Sequence, residues 1–419
     1  MSYKTALRGY TAKRLEEIDR ADLLVGIPCY NNQETIAHVM QMVSHGLARH
    51  YKGLRAVILV ADGGSTDDSR EMAKDFELKP WQEKLISIYR GPAGKGSALR
   101  SIFESALRLE VAACAVVDSD LRSITGDWIK YLLEPVLAKG YQYVAPVYQR
   151  HKYDGTITNN IVYNLTRALY GKRIRQPIGG DFAFSRDLAG HYARQPVWET
   201  EVARFGIDVW MTTEAITGGF KLCQSHLGVK IHDAKDPGQH LGPMFRQVIW
   251  TLFTLMEQHD QLWRKVKGSV SVPTFDHRLP AEPEPVKVNL DQLISQFKLG
   301  FKQFGAIWKE VFCPGCFARI RDIARLPKSR FYFPTEVWIQ VLYELAATFH
   351  AWPANRMKLM DLVTPLYFGR VASFVIQTRD MASAQAEEVV EDQARRFEEQ
   401  KDYLLQVWGR VPPGAPGRA

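Results

Sequence analysis

No run of this 419-residue chain comes near the ~20 consecutive apolar residues that a membrane-spanning helix needs, so no integral membrane contact is expected. Residues 1–20 are polar and mixed in charge, which argues against a secretory leader. Cysteine is scarce. There are five, an odd number, and Cys29, Cys114 and Cys223 sit in apolar surroundings. That pattern excludes a disulfide framework and suits reduced, buried thiols in a cytoplasmic protein. Despite a formal net charge of +8, no Lys/Arg-rich run is present. A nucleic-acid arm is therefore not expected, whereas a small anionic substrate fits the charge. Internal repeats are absent too. What is there is ordinary for a globular chain, 46% hydrophobic and 24% charged, and long enough for two or three domains.

Residues 22–120 alternate short apolar runs with helix-like segments. Residues 23–28, 56–60, 85–89 and 111–117 read as buried strands. Residues 31–45 carry Ile36, Val39, Met40 and Val43 at helical spacing. A second helix opens at Thr66-Asp67-Asp68, and a third runs over 97–109. Strands alternating with helices predict an α/β fold with a mostly parallel sheet covered on both faces. Ligands then bind beyond the carboxyl ends of the strands. Pro28, Asp62, the 91–96 loop, Asp118 and Asp120 all fall at those ends. Further along, 143–148 reads as a strand, 159–169 and 202–220 as helices, and 227–232 as a last strand with His232 at its tip. The expected organisation is a domain over 1–271, with a nucleotide half at about 22–120 and an acceptor half at about 121–240. A proline-rich connector over 272–290 and a helical region over 291–408 follow, then a disordered tail over 409–419. The charged segment 384–401 reads as a solvated helix.

Asp118-Ser119-Asp120 puts two carboxylates one residue apart behind an apolar strand, so both can face one site. A divalent cation holding a diphosphate suits them; a solvated helix cap is the plainer alternative. Gly91-Pro92-Ala93-Gly94-Lys95-Gly96 precedes a helix and resembles a phosphate loop without the Walker spacing; a flexible turn is the alternative. Asp62 is placed to accept hydrogen bonds from a nucleobase or ribose, or else to cap a turn. His232 is compatible with a third metal ligand brought from a distant loop. Cys313-Pro314-Gly315-Cys316 is a single C-x-x-C, either a redox pair or half a zinc site.

Val25-Gly26-Ile27-Pro28-Cys29-Tyr30-Asn31-Asn32, Asp62-Gly63-Gly64-Ser65-Thr66-Asp67-Asp68, Gly94-Lys95-Gly96 and Asp118-Ser119-Asp120 follow one another as in glycosyltransferases of the GT-A fold. Asp154-Gly155-Thr156-Ile157-Thr158-Asn159, Gln176-Pro177-Ile178-Gly179-Gly180-Asp181, Gly206-Ile207-Asp208 and Gly228-Val229-Lys230-Ile231-His232 narrow the match. They resemble the glucosylglycerate, glucosyl-3-phosphoglycerate and mannosylglycerate synthase group. The resemblance covers a little over half of the chain. It implies a retaining hexosyltransferase with a GT-A domain followed by helices. The donor would be a GDP-, UDP- or ADP-hexose, glucose favoured, and the acceptor a small hydroxy acid. Pro28, Cys29, Tyr30, Asn32, Asp62, Gly63, Asp118 and Ser119 would line the nucleotide-sugar pocket, and Lys95 would meet the diphosphate. Asp120 and His232 would hold Mg²⁺ or Mn²⁺. Thr156, Thr158, Ile178, Gly179 and Asp208 would border the acceptor. Catalysis would rest on Asp120, Asp208 and Lys95, in a homodimer.

Two departures are informative. The phosphoglycerate enzymes carry an arginine where this chain has Thr156, and arginine is the side chain suited to gripping a phosphate in bidentate fashion. Glycerate is thus the expected acceptor rather than 3-phosphoglycerate. Asn32 stands where relatives often have glutamate, which leaves the base open. Rival readings are a polysaccharide or lipid-linked sugar transferase, a non-catalytic nucleotide-sugar-binding protein, and a nucleotidyltransferase. An inverting reaction would make Asp208 or Asp181 the candidate base.

Overall fold

The computed structural model describes residues 3–232, 242–277 and 283–409, without the side chain of Pro243. The expected tail, apart from Gly409, lies outside the described residues, as does part of the proline-rich connector. The chain divides into two compact units. One comprises 1–149, 174–234 and 271–284, the other 150–173, 235–270 and 285–419. The boundary expected at 271 is therefore crossed several times. Segments 150–173 and 242–270 group with the C-terminal helices: Tyr163 packs with Phe374, Val390 and Ala394, and the Phe245 ring stacks on Tyr367 at 4.4 Å.

The first unit is built on an eight-stranded sheet. Its strands are β1 (Leu23–Cys29), β2 (Ala56–Asp62), β3 (Gln82–Ile88), β4 (Ala113–Val116), β5 (Tyr143–Gln149), β6 (Phe182–Ser185), β7 (Leu222–Val229) and β8 (Thr274–Phe275). The order is β8-β7-β5-β6-β4-β1-β2-β3, and only β6 runs antiparallel to its neighbours. This is the mostly parallel α/β sheet that the alternating pattern predicts. β1, β2 and β4 are buried along their whole length, which explains their continuous apolar sequences. On one face Ile36, Val39, Met40 and Val43 pack with Trp128, Ile129, Leu132 and Leu133. On the other, Phe103 meets Phe184 edge-on at 5.2 Å and Tyr192 at 5.1 Å.

The register aligns Cys29 with Asp62, so the ends of β1 and β2 meet at one rim. Helix Ile36–His50 starts five residues later than its apolar spacing suggests. Asn31 to Thr35 form a turn instead, because their polar groups bond to Ser65, Ser69 and Ser119. β7 stops at Val229, short of His232. His232 is nonetheless held by an antiparallel bridge to Leu121, with Arg122 N donating to Ile231 O at 2.9 Å. Within the 272–290 connector, β8 pairs with β7.

The second unit is mainly helical. Segment 158–162 is a π-turn that runs into helix Tyr163–Tyr170. Helix Ser383–Glu399 is not simply solvated: Ala386, Val390, Ala394 and Phe397 form a buried stripe. Four apolar residues at helical spacing suffice to seat it, despite its charge. Among the described residues, segment Pro353–Thr378 is long and apolar enough, by length and composition alone, to cross a membrane. Of its most apolar window, 72% is buried within the fold.

Candidate active site

Five charged side chains of the first unit converge beyond the carboxyl ends of the strands. Asp118 follows β4 and faces two ammonium groups. Lys95 Nζ lies 2.7 Å from its Oδ1 and Lys230 Nζ 2.9 Å from its Oδ2. Lys230 also reaches Asp181 Oδ2 at 2.8 Å, and Lys95 reaches Asp208 Oδ2 at 3.3 Å. Asp181 is 0% exposed and is further fixed by Asp118 N at 2.8 Å and by the Tyr148 hydroxyl. It is thus a framework group; as the general base of an inverting reaction it would have no exposed oxygen to offer.

The 176–181 turn supplies carbonyls to the same two lysines. Gly179 O accepts from Lys230 at 2.9 Å and Gly180 O from Lys95 at 3.2 Å. Gly180 has φ of 95°, and a Cβ there would stand 2.2 Å from Asp118 Oδ2. Only glycine lets the chain pass so close to that carboxylate. Ile178 is half-buried in the same turn.

Two glycines of the 91–96 loop also meet a packing requirement. A Cβ on Gly96 would lie 1.9 Å from Val202 O, and one on Gly94 would lie 2.5 Å from Arg204 Cα. Gly96 N donates to Arg204 O at 2.9 Å. These glycines admit the 202–204 backbone against the start of helix Lys95–Arg108, and that packing aims Lys95 inward. Gly96→Ala is expected to cost about 1–3 kcal/mol of stability, the usual effect of overpacking, measured by urea unfolding. An unchanged midpoint would show that the loop yields freely.

The electrostatics separate the two aspartates. Burial opposes charge on Asp118, but Lys230 and Lys95 outweigh it and hold its pKa far below the usual carboxylate range. Asp120 behaves oppositely: burial, with Asp118 adding, raises its pKa against the partial relief of Lys230 and His232. The Asp120 carboxylate is therefore short of positive charge. Burial likewise raises Asp208, with Lys95 offsetting only part of it. Asp208 Oδ1 is buried and accepts no hydrogen bond from the described residues. Lys95 stays protonated, because Asp118 and Asp208 overcome its burial.

Near the end of β1, Ser119 Oγ donates to Asn32 Oδ1 at 2.7 Å, and Thr35 Oγ1 donates to Ser119 O at 2.7 Å. Pro28 and Cys29 end β1, and Gly63 N donates to Cys29 O at 2.8 Å. Burial, with Asp62 adding, pushes the Cys29 thiol up to about 12. Asp62 is buried and engaged by Gly64 N and by Ser65, so its oxygens organise the turn after β2. Tyr30 is 60% exposed, its ring beside Gly63. Thr156 and Thr158 belong to the second unit, where both are buried and the Thr156 hydroxyl bonds to that of Tyr367 at 2.6 Å.

Sequence reasoning singled out His232 and passed over Lys230. No local pattern pointed to it. The antiparallel bridge sets Leu121 against His232, and Ile231 N donates to Ser123 Oγ at 2.8 Å, so Lys230 reaches Asp118 through its side chain and not through strand register.

Residues 24–189 match the family model described as Glycosyl transferase family 2, and the sheet has the mostly parallel order expected of a GT-A fold. Asp208, Lys230 and His232 lie beyond the matched stretch. Glycosyltransferase AglJ of Haloferax volcanii is 29% identical over 167 residues, 38% of this chain and 49% of that protein. The chain thus matches about half the length of this curated relative. Glucosyl-3-phosphoglycerate synthase of Mycobacterium tuberculosis, solved with Mn²⁺, UDP-glucose and phosphoglyceric acid, superimposes with TM-score 0.45 at 24% identity. The match covers 60% of this chain and 85% of that one. The same enzyme solved with Mg²⁺ and UDP gives 0.45 at 24% identity, over 60% and 85%.

Proposed function

We propose that the protein transfers a hexose, glucose favoured, from a nucleotide sugar to the 2-hydroxyl of D-glycerate. The observation that carries this reading is the pairing of an always-charged Lys95 with Asp208, whose Oδ1 is buried yet unused. A buried carboxylate oxygen without a donor is costly, and a sugar or acceptor hydroxyl is the natural donor at such a place.

Tyr30 offers an exposed ring on which a base can stack, and Asn32 with Ser119 shapes the floor beside it. Lys95 supplies fixed positive charge for the donor diphosphate. Asp208 orients a hydroxyl by accepting its proton in a hydrogen bond. Lys230 and Asp181 keep Asp118 in place, so that Lys95 stays aimed.

The residues present fit a divalent cation. Among the described residues no group of three potential His, Cys, Asp or Glu ligands occurs, so the protein's share is Asp120 and His232. Few protein ligands suit a hard cation shared with substrate phosphates, and the raised pKa of Asp120 marks a carboxylate in need of such a partner. When bound, the cation supplies Lewis-acid stabilisation of the leaving diphosphate.

The unphosphorylated acceptor is favoured because Thr156 is 2% exposed and spends its hydroxyl on Tyr367, leaving no phosphate grip at that position. The test is incubation with UDP-, GDP- and ADP-hexoses and either glycerate or 3-phosphoglycerate, read by product mass. A hexosylglycerate is expected. Preference for 3-phosphoglycerate would overturn the acceptor, and tight nucleotide-sugar binding without transfer would support the non-catalytic alternative.

Asp208→Asn is expected to lower turnover on the order of 10²-fold without loss of fold, checked by kinetics and circular dichroism. Wild-type turnover in this variant would remove Asp208 from the site. The raised pKa of Asp208 also suits a general base in an inverting reaction. Product stereochemistry by NMR separates the two: an α-linked product from an α-donor means retention.

A further inference from the structure

Cys313 and Cys316 belong to the second unit and take no part in the chemistry above. Cys313 is the N-cap of helix Pro314–Arg325, and its Sγ accepts a hydrogen bond from Cys316 N at 3.4 Å. Burial differs between the two: Cys313 is half-buried and Cys316 is buried. Beside them stands Glu344, itself buried on helix Thr335–Ala351. Its Oε2 accepts from Cys313 N at 2.6 Å, and its Oε1 accepts the Tyr403 hydroxyl. That phenol also lies 3.8 Å from Cys313 Sγ. Burial, together with the facing Glu344 carboxylate, keeps the Cys316 thiol protonated in the reduced protein.

We propose that Cys313 and Cys316 form a redox-active dithiol that exchanges with small-molecule disulfides. Cys313 is the attacking sulfur, Cys316 the resolving one, and Glu344 the proton acceptor. This division follows from accessibility: only the half-buried sulfur can meet an incoming disulfide, and only the buried one touches the carboxylate. Cys313 thiolate attacks one sulfur of R–S–S–R, forms Cys313–S–S–R and expels RS⁻, which picks up the proton that Cys313 had given to water. Cys316 then passes its proton to Glu344 and attacks Cys313 Sγ. The intramolecular disulfide closes, the second RS⁻ leaves, and it is protonated by Glu344. Two electrons and two protons pass from the protein to the disulfide, which becomes two RSH. Because Cys313 Sγ already touches the backbone nitrogen of Cys316, closure needs side-chain rotation rather than unwinding of the helix.

Cys29, Cys114 and Cys223 serve as internal controls, since all are buried among apolar residues. Full-length protein is equilibrated in mixtures of reduced and oxidised glutathione, quenched in acid, unfolded and alkylated, and its peptides are weighed. The 313–316 peptide is expected to change from doubly alkylated to two hydrogens lighter and unalkylated as oxidised glutathione rises, and to revert with reductant. The other three cysteines are expected to stay alkylable. Cys316→Ser is expected to trap a glutathione adduct on Cys313, and Glu344→Gln to slow ring closure about 100-fold, the lower range of general-base effects. A doubly alkylated peptide at every ratio, with no adduct in Cys316→Ser, overturns the dithiol. Closure at the wild-type rate in Glu344→Gln overturns the role given to the carboxylate.

Discussion

Replacing Lys230 by methionine is expected to cost about 3–5 kcal/mol of folding stability, the range seen when one partner of a buried ion pair is removed. The side chain is 4% exposed and serves Asp118, Asp181 and Gly179 O at once. Methionine fills the space but leaves Asp181, 0% exposed, without its cation, and leaves Asp118 with Lys95 alone. The sign of the pH dependence follows. In the native protein the depressed pKa of Asp118 contributes stability above the ordinary carboxylate pKa, and that contribution is lost as pH falls through the depressed value. In the variant the uncompensated carboxylates take up protons more readily. The deficit relative to the native protein should therefore narrow as pH falls. Urea unfolding at several pH values measures this, and Lys230→Met combined with Asp181→Asn should recover part of the loss. A cost below about 1 kcal/mol, the size of a surface pair, would show that the cluster is solvated.

Asp120→Ala and His232→Ala are each expected to abolish metal-dependent turnover while leaving the fold intact. Loss of partners that merely orient a metal ligand costs about 10–100-fold, and loss of a ligand itself should exceed that. Stability should change little in Asp120→Ala, because removing a carboxylate short of positive charge relieves its repulsion with Asp118. The contrast with Asp118 is sharp. Asp118→Ala would leave two buried ammonium groups facing each other and should unfold the protein more readily. Turnover assays with added Mg²⁺ or Mn²⁺, beside thermal unfolding, distinguish the two. Full activity in either metal-ligand variant, with unchanged sensitivity to chelators, would remove that residue from the cation site.

Much of the region 22–120 was legible because its signals are local. Continuous apolar runs at β1, β2 and β4 announce buried parallel strands, and Asp62 and Asp118 mark the ends of β2 and β4. The glycines flanking Lys95 were legible as a requirement but not as a cause. A lysine between glycines suggests phosphate, whereas the structure shows backbone from 202–204 packed where a Cβ would stand. That contact joins segments about a hundred residues apart, and no periodicity encodes it. Asp181 was legible only as a candidate base for an inverting reaction. Its burial and its bonds to Lys230, Tyr148 and Asp118 N exist only once β5, β6 and β7 lie near β4. Helix Ser383–Glu399 shows the opposite error, where abundant charge masked a sparse stripe sufficient for burial.

By itself the amino-acid order determined the alternating α/β pattern, the strand ends at which chemistry gathers, and the residue types offered there. Those depend on neighbours a few positions apart. Tertiary structure alone decided which acid is neutralised and which is left wanting a cation. Asp118 and Asp120 stand two positions apart along the chain, yet two lysines from remote segments reach the first, while His232 only partly relieves the second. Charge compensation falls off steeply with distance and is strengthened by burial, so it is set by what folding brings within a few ångströms.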